Sequence, residues 1–283
     1  MTPPILVTGG TGTLGRHVVR HLRGAGREVR VLSRHGGEPE PGVQAVTADL
    51  VTGDGVDEAV RGVETIVHCA GNFKGDAAMT ANLSRAASKA GAPYLVYISV
   101  VGTDRIPVVG FGRLAFAYFG AKREAERVVA RSGLPWTILR ATQFYDLFLT
   151  VSKALAKLPL APIPAGFRFQ PVDADEVAAR LVELALGGPA GFAPDFGGPR
   201  VYAMVDLFRS YLRATGRRRI VLPVWMPGTS ARAMRAGGNR IAPRVPSPPA
   251  GIKTWEEFLV ERTTMAGATP LEATSPGSIT THS

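Results

Sequence analysis

Two side chains one helical turn apart carry the clearest chemistry in this sequence. Tyr118 and Lys122 are four residues apart, so a helix would place them on one face. A phenol can give its proton to a carbonyl oxygen as a hydride reaches the carbon, and a nearby ammonium favours the phenolate, which lowers the pKa from about 10. Ser99 is placed to hydrogen-bond the same oxygen. We expect Ser99, Tyr118 and Lys122 to be catalytic; the alternative is a tyrosine that packs and a lysine that reaches solvent.

The elements that would position these residues alternate between strand and helix. Ser99 ends a β-branched apolar run, and Tyr118 opens the helix that follows. Ligands bind at the carboxyl ends of parallel strands in open α/β sheets. The alternation predicts an α/β fold, a Rossmann-type doubly wound parallel sheet with a smaller C-terminal substrate-binding region. Six strands are predicted, near Ile5–Thr8, Glu28–Ser33, Val43–Leu50, Thr65–Gly71, Tyr94–Val100 and Trp136–Ala141.

A glycine-rich turn lies between the first predicted strand and the first predicted helix. Glycines at this turn let backbone N–H groups approach a pyrophosphate, which then rests at the positive end of the helix dipole. The alternative is an ordinary strand-to-helix turn, but the strand before it and the helix after it favour a dinucleotide site. The predicted cofactor contacts here are Gly9, Thr11, Gly12, Thr13 and Leu14.

The end of the second strand indicates which dinucleotide binds. A carboxylate there would bind the ribose hydroxyls of NAD, but Ser33 and Arg34 occupy this edge and no acid follows until Glu38. A serine and an arginine suit a 2′-phosphate. NADPH is therefore the predicted cofactor and NAD is less favoured; the alternative is that Arg34 stacks on the adenine or points to solvent.

Together the glycine turn, the pair Asp49-Leu50, the Ala70-Gly71 step and the Tyr–Lys pair resemble the extended or atypical short-chain dehydrogenase/reductase superfamily. The likeness is nearest to its NmrA-like and NAD-dependent epimerase/dehydratase branches. It covers residues 4–150 well and continues more weakly to about 262. The resemblance implies further cofactor contacts, at Asp49 and Leu50 on the adenine, at Ala70 and Gly71 along the cofactor, and at Lys122 and Thr142 near the nicotinamide.

This chain departs from that family at two positions. Ala141 stands where a proline is usual, and Asp76 stands where many extended members carry an asparagine. Many NmrA-like relatives lack the tyrosine and bind cofactor without turnover, so Tyr118 favours an enzyme. The sequence predicts an NADPH-dependent oxidoreductase that reduces a small carbonyl or quinone-like substrate, with Tyr118 as proton donor. The alternatives are an NAD(P)-binding regulatory or assembly protein without turnover, and a sugar-nucleotide epimerase.

The second half of the chain has a looser pattern. We expect an NAD(P)-binding domain over residues 1–150, a substrate-binding region over 151–264 and a disordered tail over 265–283. Residues 200–204 are expected to return a strand to the main sheet, and the prolines after residue 158 predict a loop. The apolar run at 220–227 is expected to be buried; the alternatives are a substrate pocket and a membrane surface.

Charge and cysteine content limit the partners. The net charge of +10 is local, because ten basic residues against one acid lie between Arg200 and Arg244. We expect a solvated arginine-rich face, with an anionic partner as the alternative, and the lack of any recognition motif argues against nucleic acid. His17 and His21 have no acid or cysteine near them in sequence, so no metal site is expected. Cys69 is the sole cysteine, and no apolar run is long enough for a membrane span, so a cytoplasmic protein is predicted.

Overall fold

The computed structural model describes residues 2–34, 41–71, 75–109, 113–242 and 250–267. The strands are β1 (Ile5–Thr8), β2 (Val29–Ser33), β3 (Val43–Thr47), β4 (Thr65–His68), β5 (Tyr94–Val100), β6 (Trp136–Ala141), β7 (Leu160–Pro164), β8 (Arg168–Phe169), β9 (Gly191–Phe192), β10 (Tyr202–Ala203) and β11 (Ile220–Val224). The helices are α1 (Gly15–Gly24), α2 (Val56–Ala59), α3 (Asp76–Lys89), α4 (Arg113–Ala130), α5 (Tyr145–Leu155), α6 (Ala174–Gly187), α7 (Met204–Ala214), α8 (Thr229–Arg235) and α9 (Trp255–Gly267).

Seven parallel strands form the main sheet in the order β3-β2-β1-β4-β5-β6-β9. The chain moves outward from β1 to β3, then returns beside β1 with β4, so the strand order reverses between β1 and β4. Crevices at such reversals bind ligands in open α/β sheets. The predicted Rossmann-type doubly wound α/β fold is confirmed, and its six predicted strands all occur.

Helices cover both faces of the sheet, as its uniformly buried central strands require. On one face α1 and α6 pack over Val7, Val96 and Leu139. On the other face α2, α3 and α4 pack over Leu6, Ile66 and a row of neighbouring aliphatic side chains. The two faces alternate along each strand because successive side chains point to opposite sides.

Helices α1 and α6 also meet through a cluster of charged side chains. The Asp175 carboxylate of α6 contacts His17 Nδ1 at 3.3 Å and His21 Nε2 at 2.6 Å, and it pairs with Arg20. The sequence shows no acid near the two histidines, but folding supplies this one from 150 residues away. With an arginine on the same carboxylate, the cluster is an ion-pair contact between the two helices.

A third core lies beneath the C-terminal elements. It joins Phe148 of α5, Phe208 of α7 and Trp255 of α9 with Phe116 and Phe119 of α4. The predicted division at residue 150 stays a prediction, but α6 and β9 lie after residue 150 and still pack on or join the main sheet. Helix α9 continues to Gly267, three residues into the segment predicted as a tail; residues 268–283 lie outside the described part of the chain.

The expectation of a returning strand at 200–204 is corrected in two ways. Tyr202–Ala203 pairs antiparallel with Arg168–Phe169 in a separate two-stranded sheet. This strand is only two residues long because α7 begins at Met204. The seventh strand of the main sheet is instead Gly191–Phe192, whose phenyl ring packs edge-on against Trp136 with 5.3 Å between ring centroids.

The segment after residue 158, predicted as a loop, forms β7, which pairs in parallel with β11. Its prolines are tolerated because this sheet has only two strands. The expectation that residues 220–227 are buried is wrong for most of the run. Ile220 is 68% exposed and Trp225 is 65% exposed, because the two-stranded sheet covers the core with one face only. None of the helices in the described ranges is long and apolar enough to cross a membrane.

Candidate active site

A cleft of about 370 Å³ opens at the carboxyl ends of the strands, where the strand order reverses. The sheet topology therefore gathers residues from Gly9 to Met79, which are 70 positions apart in sequence. Nine of the predicted cofactor residues line this cleft, namely Gly9, Thr11, Gly12, Ser33, Arg34, Asp49, Leu50, Ala70 and Gly71. Leu32, Ala48, Val51, Cys69 and Met79 line it as well.

The glycine turn forms the floor of the cleft. Gly9 has a φ of +66°, and a β-carbon there would lie 2.8 Å from the backbone N and Cα of Ala70. Only glycine meets both demands. The turn closes when Gly12 N–H donates to the Gly9 carbonyl at 2.9 Å, and α1 then begins with Leu14 as its N-cap. Leu14 offers no side-chain acceptor, so the first turn of α1 is capped by backbone only: Arg16 N–H donates to the Gly12 carbonyl at 3.2 Å and His17 N–H to the Leu14 carbonyl at 3.0 Å.

Thr13 and Leu14 are predicted cofactor residues that do not line the cleft, whereas Arg34 and Leu50 line it at the β2 and β3 side. Thr13 is exposed at the tip of the glycine turn, and Leu14 is buried beneath it. Arg34 is exposed at the rim, directly after β2. The backbone of Leu50 is fixed by Asn82 of α3, whose side-chain amide donates to its carbonyl at 2.9 Å. These contacts set the width of the cleft at its β2 and β3 side.

A buried hydrogen-bond chain joins the cleft to the start of α3. Ala70 N–H donates to the Thr8 hydroxyl, which lies 2.6 Å from His68 Nδ1. His68 Nε2 lies 3.2 Å from the Thr80 hydroxyl, and Thr80 donates in turn to the Asp76 carbonyl. Burial, with a smaller effect of the Lys122 charge, lowers the pKa of His68 to about 3, so its ring is neutral and structural. The chain fixes Asp76 relative to Ala70.

Cys69 lies beside this chain and is not a nucleophile. Burial raises the pKa of its thiol to about 12, although the Lys122 charge acts in the opposite direction. The reactive form of a cysteine is the thiolate, which is absent at neutral pH under these conditions.

Lys122 is buried and each of its three N–H donors has an acceptor. Its ammonium lies 3.0 Å from Asp76 Oδ2, 3.2 Å from the Tyr97 hydroxyl and 3.2 Å from the Ile98 carbonyl. Burial alone would lower the pKa of Lys122, but Tyr97, Tyr118 and Asp76 together raise it above its ordinary value. Lys122 therefore carries a fixed positive charge.

Tyr118 lies above this charge, and the group adjoins the cofactor cleft. The Lys122 ammonium is 6.0 Å from the centroid of the Tyr118 ring. A β-carbon on Gly71, which lines the cleft, would lie 2.8 Å from Asp76 Oδ1 and 3.3 Å from Lys122 Nζ. Tyr118, Lys122 and Asp76, which we call the Tyr–Lys–Asp cluster, therefore adjoin the cleft at Gly71.

The expected lowering of the Tyr118 pKa does not occur. Burial raises that pKa above its ordinary value, Lys122 opposes the rise, and the Asp76 carboxylate adds to it. Asp76 neutralises much of the field that a lone ammonium would exert. The phenol is therefore protonated at neutral pH, which is the form a proton donor needs.

The Ser99 hydroxyl donates its hydrogen bond to Glu126 and not to the site where a substrate oxygen would bind. Its hydroxyl donates to Glu126 Oε1 at 2.6 Å, one turn beyond Lys122 on α4. Glu126 also accepts from Thr103 at 3.2 Å and from Arg140 Nε at 2.8 Å and Nη2 at 2.7 Å. The structure thus brings Tyr118 and Lys122 together with Asp76, whereas Ser99 joins a buried network around Glu126. Its catalytic role stays a prediction.

Two polar residues at the end of β6 carry unused hydrogen-bonding groups. Thr142 is held by its backbone N–H, which donates to the Phe196 carbonyl at 2.9 Å. Its Oγ1, and both the oxygen and the nitrogen of the Gln143 side chain, are buried without a hydrogen-bond partner within the described ranges. Buried polar atoms are normally paired, and a ligand carrying an amide would satisfy these. Together with the Gly9 turn, they fit a nicotinamide dinucleotide.

A family model described as NAD(P)H-binding matches residues 9–160, which is more than half of the chain. The chain belongs to the NAD(P)H-binding family. The matched residues include the glycine turn, the Tyr–Lys–Asp cluster and the end of β6. Membership agrees with the resemblance to the extended short-chain dehydrogenase/reductase superfamily, which is thereby confirmed.

Relatives in the family include reductases. The chain is 28% identical over 219 residues to an NAD(P)H azoreductase of Xenophilus azovorans, covering 75% of this chain and 74% of the relative. It is 30% identical over 224 residues to a (4-alkanoyl-5-oxo-2,5-dihydrofuran-3-yl)methyl phosphate reductase of Streptomyces griseus, with 75% and 74% covered.

Solved structures share the fold. An NADPH-dependent quinone oxidoreductase of Escherichia coli in complex with NADPH superposes with a TM-score of 0.73 at 18% identity, covering 92% of this chain and 99% of that one. A UDP-glucose 4-epimerase of Thermus thermophilus in complex with NAD gives 0.70 at 22% identity, with 94% and 100% covered. The fold thus accommodates either nicotinamide cofactor.

Three members of the site were not identified in the sequence as partners of Lys122 or Ser99. They are Asp76, Tyr97 and Glu126. The sequence carries a signal for two of them. Tyr97 precedes Ser99 by two residues and so shares its face of β5, and Glu126 follows Lys122 by four residues and so shares its side of α4. Their pairing across elements depends on the fold.

Proposed function

We propose that this protein is an NADPH-dependent reductase of a small, apolar carbonyl or quinone-like compound, with Tyr118 as the proton donor. The observation that carries the proposal is the position of the Tyr–Lys–Asp cluster beside Gly71 of the cofactor cleft, with a protonated phenol. A protonated tyrosine suits reduction, because reduction consumes a proton at the substrate oxygen. Oxidation would need the phenolate.

The chain's own groups account for the proton side of the reaction. A bound reduced nicotinamide supplies the hydride that adds to the substrate carbon. As the C=O π bond breaks, the Tyr118 hydroxyl gives its proton to the oxygen, leaving a phenolate that the Lys122 ammonium stabilises. Asp76 holds Lys122 in place at 3.0 Å. Solvent then returns a proton to Tyr118, and the product is an alcohol, or from a quinone a hydroxydienone that tautomerises to the hydroquinone.

Substrate class is inferred from the surroundings of Tyr118. Its ring packs against the C-terminal core and lies 6.1 Å from the Phe119 ring in an edge-on arrangement. Apolar walls favour an apolar substrate. The two relatives at 28% and 30% identity are named as reductases, one of azo compounds and one of a furanone that carries a methyl phosphate, so the reaction class agrees with the proposal while the substrates differ.

The preference for NADPH rests on the edge of β2. Ser33 and Arg34 stand there, at the rim of the cleft, and a guanidinium can bind a 2′-phosphate with two parallel hydrogen bonds. Arg34→Ala should weaken NADPH binding by about tenfold and leave NADH binding unchanged. Equal affinities of the wild type for the two cofactors would contradict this preference.

The function itself is tested by following the loss of NADPH absorbance with a panel of ketones, quinones and unsaturated lactones. The proposal expects at least one compound to be reduced with stoichiometric NADPH consumption. Binding of NADPH without consumption against the whole panel would contradict it. Cytoplasmic placement stays a prediction, supported by the single cysteine.

One observation favours a second candidate, a cofactor-binding regulatory or assembly protein without turnover. The Ser99 hydroxyl is engaged by Glu126, so the site lacks the second donor that the sequence predicts for the substrate oxygen. Titration of the apoprotein with NADPH, followed by measurement of its oligomeric state, separates the two candidates. A change of assembly without any turnover would select the second.

A further inference from the structure

The two-stranded sheet of β7 and β11 turns an entirely apolar face outward. Its register pairs Leu160 with Ile220, Pro162 with Leu222 and Pro164 with Val224. Side chains alternate across a strand, so these six share one face, whereas Ala161 and Ile163 point into the core and are buried. We call these six residues, with Trp225 directly after them, the β7–β11 face.

Exposure of this face is unusual for its composition. Leu160, Ile220, Leu222 and Val224 are all exposed, and Trp225 extends the surface at one end. The Arg235 guanidinium lies 3.9 Å from the centroid of the Trp225 ring and orients the indole. A contiguous patch of large apolar side chains on a protein surface marks a binding site for another apolar surface.

Positive charge is concentrated at one end of the face. Because β7 and β11 run parallel, the residues that precede them lie at the same end of the sheet, and they include the exposed Lys157, Arg217 and Arg218. Arg219 is anchored there by donating to the Ala156 carbonyl at 2.8 Å. Residues 153–169 and 207–244 contain twelve lysines and arginines and no aspartate or glutamate. The segments that carry the apolar face therefore contribute cations to its end and no acidic side chain of their own.

Prolines prevent the face from recruiting another strand at its edges. Ala165 N–H donates to the Val224 carbonyl at 2.9 Å, so in the parallel register Pro162, Pro164 and Pro223 face the open edges. A proline offers no N–H for a further strand. The combination of an apolar face, an exposed tryptophan and a cationic end is the one that suits a membrane interface.

We propose that the β7–β11 face docks this protein onto an anionic lipid surface. Leu160, Ile220 and Leu222 enter the acyl boundary, the Trp225 indole lies at the level of the headgroups, and Arg217 and Arg218 bind lipid phosphates. This inference stands independently of the proposed reductase activity, since it uses none of the cleft residues.

The test is co-sedimentation of the full chain with vesicles of phosphatidylcholine alone and of phosphatidylcholine mixed with phosphatidylglycerol. We expect binding to the mixed vesicles only, weakened by salt. Arg217→Gln/Arg218→Gln should lower the partition coefficient roughly twenty-fivefold, since each cation near the surface contributes about fivefold. Leu222→Ser/Trp225→Ser should lower it by at least about tenfold. Trp225 emission should shift to the blue on binding.

Matched control variants show whether vesicle binding depends on the β7–β11 face or on exposed arginines and aliphatic side chains anywhere on the surface. Arg123→Gln/Arg131→Gln removes two exposed arginines from another surface, and Ile252→Ser removes an aliphatic side chain that is 86% exposed. Both should bind vesicles like the wild type. The proposal is overturned if the wild type stays in the supernatant with both vesicle types, or if the controls lose as much binding as the face variants. It is also overturned if sedimentation velocity shows a dimer that Leu222→Ser/Trp225→Ser abolishes, because a second copy would then cover the face.

Discussion

The ion pair between Asp76 and Lys122 should dominate the stability of the site, and a double-mutant cycle measures it. Their side chains are 1% and 5% exposed and their charged atoms lie 3.0 Å apart. Removing one partner leaves the other charge buried without compensation, which costs about 3–5 kcal/mol. Asp76→Asn keeps the shape and one acceptor oxygen, so we expect the lower end, about 3 kcal/mol. Lys122→Met should cost more, up to about 5 kcal/mol.

The double variant should be more stable than the sum of the two losses predicts, because neither charge is then left alone. We expect a coupling free energy of at least about 2 kcal/mol. Urea unfolding followed through Trp255, which is fully buried, supplies the free energies of unfolding. The exposed pair of Arg127 with Glu124 on the same helix is the control, and Arg127→Ala should cost under about 1 kcal/mol. Additive losses, or single losses as small as the control's, would refute the reasoning.

Three further predictions concern single positions. Gly9→Ala should weaken NADPH binding by at least about tenfold. Gly26 also has a positive φ, of +70°, but a β-carbon there would meet no neighbouring atom, so Gly26→Ala should bind NADPH like the wild type. Isothermal titration measures both affinities, and equal losses would contradict the close approach at Gly9. Ser99→Ala should cost about 1 kcal/mol of stability through the lost bond to Glu126 and reduce kcat/KM less than tenfold; a hundredfold loss at unchanged Tm would show that the hydroxyl contacts substrate. His68 has a pKa of about 3 when folded and 6.5 when unfolded, so the unfolded chain gains a proton first as the pH falls. The free energy of unfolding therefore decreases below pH 6.5, by up to about 1.4 kcal/mol per pH unit. His68→Gln should lose less stability than the wild type between pH 7 and pH 5; equal losses would refute the account.

The sequence specifies the cofactor half of this protein closely. The glycine turn can be identified because the backbone conformation at Gly9 and its approach to Ala70 exclude other residues. The position of Arg34 at the end of β2 can be predicted from the alternation of strands and helices, because the end of a strand is a local property of the sequence. The sheet order then brings these local signals together at one cleft.

The partners of the catalytic residues could not be predicted, because they arise from contacts between distant elements. Asp76 meets Lys122 only after α3 and α4 pack side by side. Ser99 lies near the end of its strand as expected, but its hydroxyl donates to Glu126 on the neighbouring helix. An apolar run such as Ile220–Val224 ordinarily indicates a strand buried in the core. That rule is wrong for the β7–β11 face, because the two-stranded sheet covers the core with its other face only.

The central claim is that Tyr118 protonates the substrate, and kcat/KM of Tyr118→Phe tests it most directly. The measurement uses the compound that the wild type reduces fastest, with the Kd for NADPH determined on the same preparations. Phenylalanine keeps the ring and its packing and removes only the proton donor. The account predicts a fall in kcat/KM of about 10²–10⁴-fold with NADPH affinity unchanged. Turnover equal to that of the wild type would contradict it.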